Sequence, residues 1–344
     1  MIQLYDANIK SCMVHFVGNK ANDEGLKVSK NPLILNNTTR NALSNYFYKS
    51  FTVKEDFYSF YHQTNIGLNT IYSYIREIFT NNAVFCEQSL NIARYLYEQS
   101  THPKIKGGEL YIAHIDNCII NGKYAEVIGL FKSESKDTFL MLHQNEVGFE
   151  LSSQSGASIN KLDKGCLIFN IEEDDGYLVA IVDNTNKGSE AKYWTDDFLH
   201  VRPRKDSFNQ TQNMLSLCKS FVSQLPSDNG KVEKATYMNR SVEALKEESV
   251  NINTFAEQVF ETPELVSEFK QYKETYQKER DIEIDDTFAT ASTAIKRRAT
   301  GTMTTIKLDK NFDINIHGGE QYIVRGYDED RGMYYYQLFF KEEK

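Results

Sequence analysis

Recognisable catalytic machinery is missing from this sequence. It contains no G-x-x-x-x-G-K-[ST] phosphate loop, no G-x-G-x-x-G fingerprint, no H-E-x-x-H helix and no G-x-S-x-G elbow, so four common enzyme classes lose their usual signatures. Cysteine is sparse: Cys12, Cys86, Cys118, Cys166 and Cys218 are odd in number, scattered, and without a C-x-x-C pair. That argues against zinc fingers and thioredoxin-type redox motifs and predicts buried free thiols in a reducing cytoplasm. Long hydrophobic runs are also lacking, and none approaches the roughly 18 to 20 apolar residues that a membrane-spanning helix needs. The opening MIQLYDANIKSCMVHF places Asp6 and Lys10 among its apolar positions and shows no secretory signal. No membrane partner is expected. An excess of positive charge is absent as well: the net charge is -9. Phosphate binding releases counterions only where cations are placed, so any nucleic-acid contact must rest on a focused basic patch.

What the chain has is material for a large core. Its 344 residues exceed the size at which single cores stop growing, and its 21 Tyr and 21 Phe with 40% hydrophobic content argue against disorder. Two domains are expected, an N-terminal α+β domain over residues 1–200 and a C-terminal helical domain with a small terminal sheet over 201–344.

Residues 2–17 read as one or two strands and residues 18–30 as a polar connection. Leu43, Tyr46, Phe47 and then Phe57, Phe60, Tyr61 recur at helical spacing, which predicts two short helices, the first capped by Thr38 or Thr39. Residues 69–101 give the clearest helical pattern, with a break at Asn81-Asn82 and an end at His102-Pro103. From Gly107 to Asp183 the period shifts towards two. The segments ELYIAHID, YAEVIGLFK, DTFLMLHQ, CLIFNIEED and GYLVAIVD, separated by Asn121-Gly122, Lys136-Asp137 and Asp175-Gly176, predict an antiparallel meander. A helical stripe from Met214 to Leu225 closes at Pro226, and further helices are expected over 231–249, 253–260 and 262–280, the last opening with Thr262 and Pro263. Residues 303–340 read as strands with hairpins around Gly318-Gly319 and Asp330 to Gly332. There, alternation puts Tyr334, Tyr336, Leu338 and Phe340 on one side as core or dimer contacts, with Tyr335 and Phe339 on the other. The fold class is α+β: N-terminal helices packed on an antiparallel β-meander, then a helical region and a small C-terminal antiparallel sheet.

Chemistry-bearing residues are few. His114 and Asp116 would share one face of a strand, and alternating polar residues of this kind read best as a solvent face. Glu172, Glu173, Asp174 and Asp175 form a charged hairpin tip without the spacing of a calcium loop. No catalytic residue, cofactor or metal ligand is assigned. Two basic loops are the features suited to phosphate: Arg202, Arg204 and Lys205 around Pro203, and Lys296, Arg297 and Arg298 before an Ala-Thr-Gly-Thr stretch.

Several long segments carry a resemblance. VHFVGNKANDEGL (14–26), FCEQSLNIARYLYEQSTHPKIKGGELYIAHI (85–115), GLFKSESKDTFL (129–140), DDFLHVRPRKDSFNQTQNMLSLCKSFV (196–222) and DINIHGGEQYIVRGYDEDRGMYYYQL (313–338) resemble the bacterial nucleoid-associated protein family of the YejK/NdpA type, in its Bacteroidetes-like branch. The resemblance covers most of the chain and implies association with the bacterial nucleoid, by binding DNA without sequence preference or through DNA-handling partners such as topoisomerases. The stretch from Phe198 to Phe221 is similar to the family's basic loop and following helix, which gives Arg202, Arg204 and Lys205 more weight than Lys296, Arg297 and Arg298. The expectation is a non-enzymatic, cytoplasmic DNA-binding or chromosome-organising homodimer. An adaptor that holds a DNA-handling enzyme without strong DNA binding is the alternative, and an unrecognised hydrolase or nuclease using His114 and Asp116 is a third reading.

Overall fold

The computed structural model describes residues 2–52, 56–120, 122–185, 193–226, 231–280, 282–299, 305–308, 310–315 and 322–342. The chain divides into two compact units, Met1–Arg204 and Lys205–Lys344, and its fold is α+β.

The first unit is built on a nine-stranded sheet in the order β11-β4-β10-β9-β6-β5-β2-β3, with β1 also paired to β5. The strands are β1 (Ile2–Gln3), β2 (Asn8–Val17), β3 (Leu26–Val28), β4 (Phe57–Phe60), β5 (Gly108–Ile120), β6 (Lys123–Ser133), β9 (Lys164–Phe169), β10 (Leu178–Asp183) and β11 (Val201–Pro203). All these pairings are antiparallel. Its central strands are apolar on both faces because both faces are covered. Cys166 and Ile168 join the core beneath α2 (Thr70–Thr80) and α3 (Phe85–Gln99), while Leu167 and Phe169 join the core beneath α1 (Asn37–Tyr48). A fully buried antiparallel strand therefore reads as a continuous run, CLIF, where a one-sided sheet would show alternation. Phe47 of α1 stacks on Phe131 of β6 with ring centroids 3.9 Å apart.

Local chemistry departs from the sequence reading at several points. The α1 cap is Asn36, whose side chain accepts from the Thr39 amide, so neither Thr38 nor Thr39 is the capping residue. Phe57 to Phe60 form a strand where a second short helix was expected: β4 fills the place between β10 and β11, and its apolar side chains are used by the sheet. In the Asp175-Gly176 turn, Gly176 has φ +86, and a Cβ there would lie 2.4 Å from the Phe60 carbonyl oxygen, so this position admits only glycine. Gly122 turns β5 into β6 at φ +79, while Asn121 lies outside the described residues.

DTFLMLHQ does not enter the sheet. It forms β7 (Lys136–Asn145), paired only with β8 (Gly148–Ala157) in a separate two-stranded ribbon among the described residues. Lys136-Asp137 accordingly starts a strand, and the chain leaves β6 at Glu134-Ser135. The amides of Glu134 and Ser135 donate to Asp163 Oδ2 at 2.7 and 2.8 Å. With the neck of the ribbon held there, β9 pairs with β6. The apolar run Cys166–Phe169 of β9 suits burial on both faces; the half-polar β7 does not.

The second unit packs α4 (Ser207–Gln224), α5 (Lys231–Ala244), α6 (Ile252–Phe260), α7 (Pro263–Arg280) and α8 (Ser292–Ala299) around one apolar cluster. Phe221 meets Phe260 and Phe269 edge-on at 5.1 and 5.3 Å. Asp206 caps α4, and Asn251 caps α6 from β12 (Ser249–Asn251), which pairs with β13 (Thr287–Ala289). The C-terminal strands form two antiparallel ladders, β14 (Thr305–Leu308) with β15 (Phe312–Asn315), and β16 (Ile323–Asp328) with β17 (Met333–Leu338). The first turns between Leu308 and Phe312; Gly318-Gly319 lies outside the described residues. Tyr334, Leu338 and Phe340 are exposed where core packing was one of the expected outcomes, because the small cluster of Ile306 and Ile323 engages only Tyr336 of that side.

Candidate nucleic-acid interface

Arg202 and Arg204 stand on and just beyond β11, the edge strand of the large sheet. Arg202 lies opposite Ser59 of β4, and its guanidinium sits over the Tyr61 ring at 3.5 Å from the centroid. This is close, face-on cation–π geometry on an exposed arginine. The corner that carries it is fixed by Asn69. This buried amide is directed at the carbonyls of Tyr61, Leu199 and His200 at 3.1, 3.1 and 3.0 Å. Its oxygen accepts from the Tyr72 amide and caps α2. His200 has φ +49, and its carbonyl also accepts from the Tyr61 amide at 2.9 Å. The bend that presents Arg202 is thus tied to the start of a core helix.

The other cations of the two clusters differ in setting. Arg204 is half-buried and paired with Glu172 of the acidic turn, and Glu173 of the same turn holds Arg76 with Nε–Oε1 2.7 Å. Two arginines therefore engage what the sequence presented as a bare charged tip. Lys205 belongs to the second unit, where it pairs with Glu283. Lys296, Arg297 and Arg298 lie on α8, within a helix where a loop was expected. Lys296 is exposed, and the side chains of Arg297 and Arg298 are outside the described residues. Arg202 and Arg204 are brought together in one unit; Lys205 and Lys296 lie in the other.

His114 is buried, contrary to the solvent-face reading. It points to the α2 and α3 side near Phe85, and its Nε2 meets Glu126 Oε1 at 2.5 Å. Asp116 instead faces Lys10, 3.5 Å away. The sequence pairing missed Glu126, which the β5–β6 register brings to His114 from a distant position. No group of three or more His, Cys, Asp or Glu suited to a metal occurs among the described residues.

A second polar cluster was not legible in the sequence. Lys132 and Lys164 are fully buried at the ends of β6 and β9. Lys132 Nζ donates to the Lys106 carbonyl at 2.8 Å and lies 3.1 Å from Glu134 Oε1, while Tyr193 donates to Glu134 at 2.9 Å. Lys164 Nζ donates to both Asp183 oxygens at 2.9 and 2.8 Å and to Thr185 at 2.7 Å. Burial lowers the Lys132 pKa and, with Glu134 adding to it, holds that of Tyr193 well above its ordinary value. Opposite charges and hydrogen bonds satisfy one another here, which is the condition for ions to persist in an interior. The one sequence signal is a lysine ending an apolar strand, GLFK, or opening one, KGCLIF.

No helix among the described residues is long and apolar enough to cross a membrane. No curated protein matches the chain. A family model described as nucleoid-associated protein YejK matches residues 13–332.

Proposed function

The chain belongs to the nucleoid-associated protein YejK family, and from that premise we propose that it associates with DNA in the bacterial nucleoid, in the cytoplasm, as a non-enzymatic homodimer. Arg202 carries the reading: an exposed arginine whose guanidinium sits over the Tyr61 ring on a braced corner is a positioned cation suited to a phosphate. Lys296, with Arg297 and Arg298, is the second contact. Arg204 and Lys205 are already engaged by Glu172 and Glu283, so they contribute less. Contacts of this kind position a protein on the duplex without reading bases.

Fluorescence anisotropy with a labelled duplex across a salt series tests the reading. Each phosphate contact adds about -0.9 to the slope of log affinity against log salt, so Arg202→Ala should flatten that slope by about 0.9 for any duplex sequence. Arg204→Ala should have a smaller effect. No duplex binding at about 50 mM salt, or a slope unchanged by Arg202→Ala, would end this mechanism.

The pairing of Arg204 and Lys205 with carboxylates, with a net charge of -9, favours a second reading. In it the protein is an adaptor for a DNA-handling enzyme such as a topoisomerase. A partner retained in pull-downs after nuclease treatment supports the adaptor; a partner lost with the DNA supports direct binding.

A further inference from the structure

We propose that the β7–β8 ribbon is a dimerisation arm, whose apolar face packs against the same face of a second copy of this chain. The inference rests on the homodimer reading above and assigns its surface.

Strand alternation and the ladder register sort the ribbon into two unlike faces. One carries Leu140, Leu142, Leu151 and Phe149, with Leu142 directly opposite Leu151. The other carries His143 opposite Glu150, Met141 opposite Ser152 and Phe139 opposite Gln154. The four apolar side chains are 70%, 64%, 62% and 69% exposed, in the order named. An isolated two-stranded ribbon is marginal in water and needs a packed face to persist. A contiguous apolar patch of this size, rimmed by polar groups, marks a binding surface.

The size of the apolar face selects a second copy as occupant, and the acidic tip sets how the two copies lie. At ~130 Å² for each large side chain, two such faces together would cover roughly 1,000 Å², the lower bound of a specific interface. Charge differs along the ribbon: Glu146 stands at the tip with Glu150 beside it on the opposite face, whereas the neck mixes Lys136, paired with Glu109, with Asp137 and Lys161. A twofold axis across the middle of the ribbon lays tip on neck and keeps the tip carboxylates of the two copies apart, whereas tip-to-tip packing would bring them together. The same acidic tip disfavours DNA as the occupant.

Sedimentation velocity on the full chain at about 100 µM tests the assignment. Wild type should be dimeric, and Leu140→Thr/Leu142→Thr/Leu151→Thr should weaken association by at least about a hundredfold. Threonine keeps strand propensity, and an unchanged far-ultraviolet circular dichroism spectrum checks the fold. His143→Thr/Ser152→Thr, on the opposite face, should leave the dimer intact. A dimer that survives the triple substitution overturns the arm and leaves the homodimer standing. A monomeric wild type overturns both. A triple variant that stays dimeric but loses duplex binding would make DNA the occupant and overturn the proposal.

Discussion

Four of the five thiols are sealed in the interior, and this makes a quantitative claim about alkaline stability. Cys12, Cys118, Cys166 and Cys218 have no exposed surface. Burial pushes Cys12, Cys118 and Cys218 from 9.0 up to about 12 and raises Cys166 as well. An unfolded thiol releases its proton near 9.0 while the folded one keeps it, so the folded state binds more protons and stability falls as pH rises through 9.0. Linkage gives about 0.8 kcal/mol per thiol at pH 9.5, or roughly 3 kcal/mol for four. That is a large part of the 5–15 kcal/mol typical of a folded protein. The raised tyrosines Tyr48, Tyr111, Tyr177 and Tyr193 act in the same direction, from 10.0 upward. Lys132, lowered by burial, opposes them below its ordinary 10.5. Urea unfolding under reducing conditions at pH 7.5 and 9.5, in wild type and in Cys12→Ala/Cys118→Ala, isolates the thiol contribution. The double variant should lose about 1.6 kcal/mol less between the two pH values, whatever its stability at the lower one. Equal losses in the two proteins, or thiolate absorbance from the folded wild type at pH 9.5 exceeding one thiol, would refute the reasoning.

Three further outcomes follow from the same structure. Lys164→Met removes the cation that Asp183 faces and leaves that carboxylate with neutral partners such as Thr185, which should cost about 3–5 kcal/mol in urea unfolding, whereas Lys164→Met/Asp183→Leu should cost markedly less, since a buried pair replaced by apolar groups is often neutral. His15 is buried, with Nε2 at 3.2 Å from Ser89 Oγ and Nδ1 accepting from the Ser29 amide. Burial lowers its pKa, so the unfolded state takes up a proton first and stability falls as pH drops below 6.5; His15→Gln should flatten that acid limb in thermal melts between about pH 6.5 and 5. Asn69→Ala should weaken duplex affinity alongside Arg202→Ala, because it frees the corner that presents the guanidinium, and the two losses should not add.

The helical stripes of α2, α3 and α4, the breaks at Asn81-Asn82 and Pro226, and the Asp175-Gly176 turn were legible because each depends on residues close in sequence: apolar spacing, a capping side chain, or a glycine where φ is positive. The same locality explains the misreading of Phe57 to Phe60, where aromatic spacing fits a helix and only the open edge between β10 and β11 makes it a strand. Glu126 was invisible as the partner of His114 because cross-strand register is set by the β5–β6 ladder. The basic residues could be found as clusters, but their settings could not: Arg202 lies over an aromatic ring, Arg204 and Lys205 are held by carboxylates, and Lys296 is on a helix. By itself the sequence determined the α+β class, the family resemblance and the absence of familiar catalytic motifs, since composition, period and motif are properties of neighbouring residues. Tertiary structure alone decided which charges are spent in ion pairs, which lysines are buried and which apolar strand face is left uncovered, because electrostatic pairing and burial depend on residues that only folding brings together.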